Sequence, residues 1–242
     1  GRESNSVYGE EYNGVLPVKI LGKDGVSISP FIIEDDPNSG ILPFIEPKPI
    51  GEKGEGDKRL QAYCYRFCLT DDKSNLRPIE KPENYNPLWF EHYARMFRLD
   101  PCISVTEVIS ITPLPNMKTD INHCDFIGAN YDYPEANYKR RKEIAQMHKD
   151  YALGKVWFLQ NDPHVPEHIR IKVRQYGLPK DEFIETNNFP NQLYVREARR
   201  MISDYVMTED DVTGKRRAKD PIGFGSYWFY SHFVSYYVDE KN

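Results

Sequence analysis

An α+β domain built on an antiparallel or mixed sheet is what this sequence predicts, from three observations. Strand-like and helical stretches are mixed along the chain without the strand–helix–strand alternation of a parallel, doubly wound sheet. No glycine-rich turn joins a strand to a helix, so no complete Rossmann unit is expected. Hydrophobic residues are only 39% of the 242, but 17 Tyr and 12 Phe supply large side chains for one core, read as a single domain over residues 1–242.

Residues 1–58 are rich in Gly, Pro, Asn and Asp, which marks turns, with short strands expected at 15–20 and 26–33. Residues 60–70 read as a central strand. Tyr63, Tyr65, Phe67 and Leu69 form one large aromatic face, and Ala62, Cys64, Arg66 and Cys68 form a smaller one with room for a ligand. Residues 87–98 predict a helix, with a Pro near the start and Trp89, Tyr93, Met96 and Phe97 at helical offsets. Residues 103–111 are β-branched and predict a strand, and 113–122 a polar turn. The longest helix is expected over 134–159, weakened or divided at Gly154. A short helix over 166–176 should end at Gly177. Apolar spacing suggests a helix over 194–206, and 222–238 reads as one bent strand or two, with Gly223 and Gly225 as bulges.

A formal charge of −5 argues against a nucleic-acid partner. The basic run Lys215, Arg216, Arg217 and Lys219 follows Glu209, Asp210 and Asp211 and reads as a solvated loop. No apolar run approaches the ~20 residues that span a bilayer. The cysteines, Cys64, Cys68, Cys102 and Cys124, form no CxxC pair and read as reduced thiols rather than a metal site. P-loop, HExxH and GxSxG motifs are absent from the sequence as well. The compartment stays open.

Several stretches resemble a family of FAD-dependent oxidoreductases found widely in Bacteroidetes, Planctomycetes and Verrucomicrobia, some of whose members are labelled xanthan lyase. They include Gly1-Arg2-Glu3-Ser4, Ser39-Gly40-Ile41-Leu42-Pro43, residues 60–70, Lys81-Pro82-Glu83-Asn84-Tyr85, Leu114-Pro115-Asn116 and Lys118-Thr119-Asp120-Ile121-Asn122. Tyr133-Pro134-Glu135-Ala136, Asn161-Asp162-Pro163, Lys180-Asp181-Glu182-Phe183, residues 193–201, Gly225-Ser226-Tyr227 and Ser231-His232 continue the series. They keep order and spacing across nearly the whole chain. The resemblance implies a substrate or cap domain, cut from a flavoprotein whose FAD-binding halves lie before and after it. FAD is then expected in the parent and not in this chain. The partners implied are the missing FAD-binding domain of the same polypeptide and a small polar, possibly carbohydrate-derived substrate.

The candidate site residues are His232 as general base, with Arg66, Lys118, Asp120, Asn122, Arg196 and Arg199 binding substrate. A guanidinium holds carboxylates or sugar hydroxyls through paired hydrogen bonds, and the alternative for Arg196, Arg199 and neighbouring Arg200 is a solvated charged face. If extended, Lys118, Asp120 and Asn122 point one way, where they would position hydroxyls; alternatively they close a turn. For Arg66 the alternative is an edge salt bridge, and for His232 a core histidine. Tyr230 stands where the resemblance implies an acid before Ser231-His232, so His232 lacks an orienting carboxylate from that position. Tyr63, Tyr65, Tyr194, Tyr227 and Trp228 are either core or a sugar-stacking surface. Polysaccharide lyase chemistry and a non-catalytic glycan- or partner-binding module remain as alternative functions. Arg66, one of Arg196 and Arg199, and His232 are expected to converge in one pocket.

Overall fold

The computed structural model describes residues 4–10, 17–19, 28–47, 54–225 and 231–237. Tyr227, Trp228 and Tyr230 fall outside the described residues. The fold is α+β, with eight short strands among the described residues arranged in three small sheets.

The central sheet is antiparallel: β3 (Phe67–Thr70) pairs with β6 (Lys118–Ile121), which pairs with β5 (Thr112–Leu114). Residues 113–122 therefore form a hairpin rather than a loop, turning through the left-handed Asn116 and Met117. A two-stranded sheet joins β4 (Leu76–Arg77) and β7 (Leu178–Pro179) antiparallel. The third sheet is parallel. β8 (Ser235–Tyr237) lies between β1 (Pro17–Lys19) and β2 (Ile45–Glu46).

Residues 60–70 are extended, with single bridges from Tyr63 to Phe126 and from Cys64 to Tyr194 ahead of β3. Tyr63, Tyr65, Phe67 and Leu69 all enter the main core. The opposite face is drier than expected: Ala62 and Cys64 are fully buried, and only Arg66 is exposed.

The helix expected at 87–98 is a 3-10 turn, Pro87–Trp89, followed by α1 (Glu91–Leu99). The strand expected at 103–111 is instead the one-turn helix α2 (Val105–Val108). Ser104 and Glu107 close a capping box there, which outweighs the β-branched composition. α3 (Tyr138–Asn161) runs unbroken through Gly154, opened by Asn137, whose side chain accepts from the Arg140 amide. Gly154 is there for packing. A Cβ at that position would sit 3.2 Å from both the Phe90 and Tyr85 rings. Those rings belong to an aromatic column in which Phe90 stacks on Tyr85, Tyr151 and Phe158, and Tyr151 stacks on Phe126 at 3.9 Å.

α4 (Glu167–Val173) ends at Arg174, so Gly177 is not its terminator. Gly177 exchanges both backbone hydrogen bonds with Thr70, and a Cβ there would fall 2.3 Å from the Arg77 carbonyl oxygen. Residues 194–206 form no helix. The Tyr194 amide donates to the Cys64 carbonyl, which pins the segment beside the central strand, and Met201 and Ile202 lie exposed with no core to face. Residues 26 and 27 lie outside the described residues, and of the strand expected at 26–33 only a Phe31–Ile41 bridge forms. Gly223 and Gly225 belong to no strand, and of 222–238 only β8 is a strand among the described residues. α5 (Glu209–Thr213) precedes the basic run, where Arg216 turns back onto Asp211 and the Val206 carbonyl, as a solvated loop would. All four cysteines are free thiols, Cys64 and Cys124 buried. Among the described residues no helix is long and apolar enough to cross a membrane.

Candidate active site

The site forms where residues 231–234 run beside the start of the central strand. The Ala62 amide donates to the Phe233 carbonyl, and the His232 amide donates to Gln61 Oε1 at 2.7 Å. Gln61 is itself fixed by Glu197, which accepts from its backbone amide and its Nε2. The Tyr131 hydroxyl, donating to the Val234 carbonyl, holds the other side. Residues 232–234 are thus held by Gln61 and Ala62 on one side and Tyr131 on the other, with Glu197 fixing Gln61.

Its ring meets a carboxylate. Asp125 Oδ2 lies 2.6 Å from His232 Nδ1, and Asp125 Oδ1 accepts from Arg196 at 2.8 Å. The Arg196 side chain is only 6% exposed, and it also donates to the Ala62 carbonyl and the Cys64 sulfur. Burial alone would raise the Asp125 carboxyl; the His232 hydrogen bond and the Arg196 charge outweigh it and hold the group below the usual range. Burial, with the Asp125 charge adding to it, pushes the Cys64 thiol up to about 12, so it stays neutral. An ionised carboxylate on Nδ1 fixes the neutral imidazole with its proton there and leaves Nε2 as the basic atom.

His232 and Asp125 line a cavity of about 470 Å³ with Asn122, His123, Tyr93 and Lys155. Lys155 comes from the buried stripe of α3, alongside Ile144, His148, Tyr151 and Leu159. Its ammonium donates to the Tyr93 hydroxyl at 2.9 Å and the His123 carbonyl at 2.6 Å. Burial favours loss of its proton, but Tyr93, Cys124 and Asp125 outweigh that and hold it above the usual lysine range. The imidazole of His123 is held below its ordinary value by burial and by the Lys155 charge.

A family profile described as FAD dependent oxidoreductase matches residues 1–241. The chain belongs to this family of FAD dependent oxidoreductases. A search of curated proteins and a search of solved structures each returned no match.

A flavin dinucleotide needs a glycine-lined turn at a helix N-terminus for its pyrophosphate. The longer helices of this FAD dependent oxidoreductase chain offer none. α1 opens at Phe90 with Glu91 in its first turn, and α3 opens with its Arg140 amide capped by the Asn137 side chain and no glycine in its first turn. The described residues therefore do not fit the dinucleotide portion of FAD.

Of the residues picked from sequence, the structure brings His232 and Arg196 together, through Asp125. Asn122 joins the cavity wall, its Oδ1 3.8 Å from the Cys64 sulfur. Arg66 pairs across the sheet with Asp120, on the exposed side of the strand. Lys118 pairs with Asp181 and Glu182. Lys118, Asp120 and Asn122 do share a face of β6 and its extension, but only Asn122 reaches the cavity. Arg199 forms a fork with Glu135 on the surface, both side chains more than two-thirds exposed. Tyr63 and Tyr65 are core residues, and Tyr194 stacks under the Arg196 guanidinium.

Sequence reasoning missed Asp125, His123, Tyr93 and Lys155. Lys155 carried a signal: a charged residue at helical offsets among apolar ones. Asp125 carried none, since the alternation that selected 118, 120 and 122 steps past it.

Proposed function

We propose that this chain forms the substrate-facing wall of an FAD dependent oxidoreductase, where His232 takes a hydroxyl proton as the attached carbon is oxidised. The observation that carries this is the Arg196–Asp125–His232 relay on a cavity wall. A general base needs its other nitrogen fixed and its conjugate acid stabilised, and Asp125 does both. Arg196 keeps Asp125 ionised and immobile. The departure at Tyr230 is thereby made good from another part of the chain.

Bound FAD supplies the capacity to accept two electrons. The residues of this chain bind and orient the substrate and hold the proton. On this reading the dinucleotide cradle belongs to another segment of the flavoprotein, and residues 1–242 purified alone are colourless. The polar side chains in the cavity's mixed lining, Asn122, His123 and Lys155 among them, suit a hydroxyl-bearing, carbohydrate-derived molecule. Membership of an oxidoreductase family supports oxidation over lyase chemistry.

The test is anaerobic bleaching of the flavin in the full flavoprotein that contains this chain, by a panel of sugars and sugar acids. His232→Ala should slow bleaching by about 100-fold or more and remove an ionisation from the pH profile of kcat/KM. Unchanged bleaching by His232→Ala overturns the assignment.

A further inference from the structure

The Lys155 ammonium lies in the His232 cavity with no carboxylate in contact with it among the described residues; the Asp125 charge reaches it only from a distance. The residue is 3% exposed, and both acceptors of its hydrogen bonds, the Tyr93 hydroxyl and the His123 carbonyl, are uncharged. Among the described residues it forms no ion pair. Acids on the cavity wall are committed elsewhere: Asp125 to Arg196 and His232, and Glu107 to the Ser104 cap. An ammonium carries three donors, and two are used. Buried charges are as a rule paired, because desolvation is costly without a counter-charge. A cavity of about 470 Å³ is in the range that holds small-molecule ligands.

We propose that Lys155 and Tyr93 form an anion-binding arm of this cavity and that its substrate is a small hydroxy acid, with the carboxylate on Lys155 and the hydroxyl toward His232. That the hydroxyl carbon is oxidised rests on the proton-handling reading of His232. The anion arm does not. The carboxylate supplies a counter-charge in direct contact, and the Tyr93 hydroxyl and Asn122 amide supply further hydrogen bonds to the acid and its hydroxyls. A neutral molecule of the same shape leaves the buried ammonium unanswered, so the site discriminates by charge.

Acetate and acetamide, nearly equal in size and different in charge, test this by NMR chemical-shift titration of the intact protein. Acetate is expected to give saturable shifts, with acetamide at least 10-fold weaker. Lys155→Met should weaken acetate by at least 10-fold. Tyr93→Phe should weaken it by about 3-fold, one uncharged hydrogen bond being lost. Equal response to acetate and acetamide, no saturable response to acetate, or full acetate binding in Lys155→Met overturns the proposal. If Lys155→Met does not fold, the wild-type comparison decides alone. The two readings fail separately. Loss of charge discrimination removes the anion arm, whereas normal flavin bleaching by His232→Ala removes the proton role and leaves the arm standing.

Discussion

Replacing Asp125 with Asn changes one oxygen to an amide and removes one charge, and the structure says what that does. Two donors converge on the carboxylate: His232 Nδ1 at 2.6 Å and the Arg196 guanidinium at 2.8 Å. An amide oxygen serves one of them, and the amide NH₂ then confronts the other. Arg196, only 6% exposed, keeps its bond to the Ala62 carbonyl but loses its counter-charge. Breaking a buried pair by removing one partner costs about 3–5 kcal/mol, and because Asp125 is 23% exposed the lower figure, about 3 kcal/mol, applies. At ~2–4 °C per kcal/mol for a domain of this size, Tm should fall by about 6–12 °C. Flavin bleaching should slow to the extent expected for His232→Ala. Removing the stranded charge as well, in Asp125→Asn/Arg196→Met, should restore about 1–2 kcal/mol. The carboxyl is held below its unfolded value, so its stabilisation is present above about pH 4 and is lost as pH falls through the folded value. The gap in Tm between wild type and Asp125→Asn should therefore close in acid. Melting followed by circular dichroism from neutral to acid pH measures all of this. A Tm within about 2 °C of wild type at neutral pH, or a double variant no more stable than the two losses summed, refutes the reasoning.

Two further outcomes follow from the geometry. Gly177→Ala places a Cβ 2.3 Å from the Arg77 carbonyl oxygen and disturbs the Thr70 hydrogen-bond pair, so it should cost about 2–4 kcal/mol, read by urea denaturation. Arg199→Ala, by contrast, should leave both Tm and flavin bleaching unchanged, because its fork with Glu135 is a surface contact remote from the cavity lining; a clear loss of bleaching would place it at the site after all.

Periodicity found what depends on local pattern. The aromatic face of 60–70 and the long helix were legible because each buries one side against the core, which leaves a repeat in the sequence. The helix expected at 194–206 failed for the converse reason: its apolar spacing is real, but tertiary hydrogen bonds from Tyr194 and Arg196 to the central strand hold it extended. α2 was legible but overlooked, since Ser104 and Glu107 stand three apart just as a capping box requires. Gly154 and Gly177 were flagged as punctuation, and each proved to be a close-approach position, which composition alone does not distinguish from a break. At the site, His232 and Arg196 stood out by residue type. Asp125 is tied to them only by long-range packing, which a single sequence does not display.

β8 is flanked on both sides by strands from the first fifty residues, and His232 stands three residues ahead of it. Closing a loop of about 200 residues comes late among the contacts a chain makes, after nearer neighbours have condensed. The main core, drawn from residues 60–193, does not include β8. The histidine is thus delivered to Asp125 just ahead of a strand whose sheet partners come from the first fifty residues. Such a piece opens at lower free energy than the whole molecule. Warming or mild denaturant should part His232 from Asp125, and with it the proposed proton transfer, while the aromatic column is still intact, and removing the stress should bring the pair back without refolding the core.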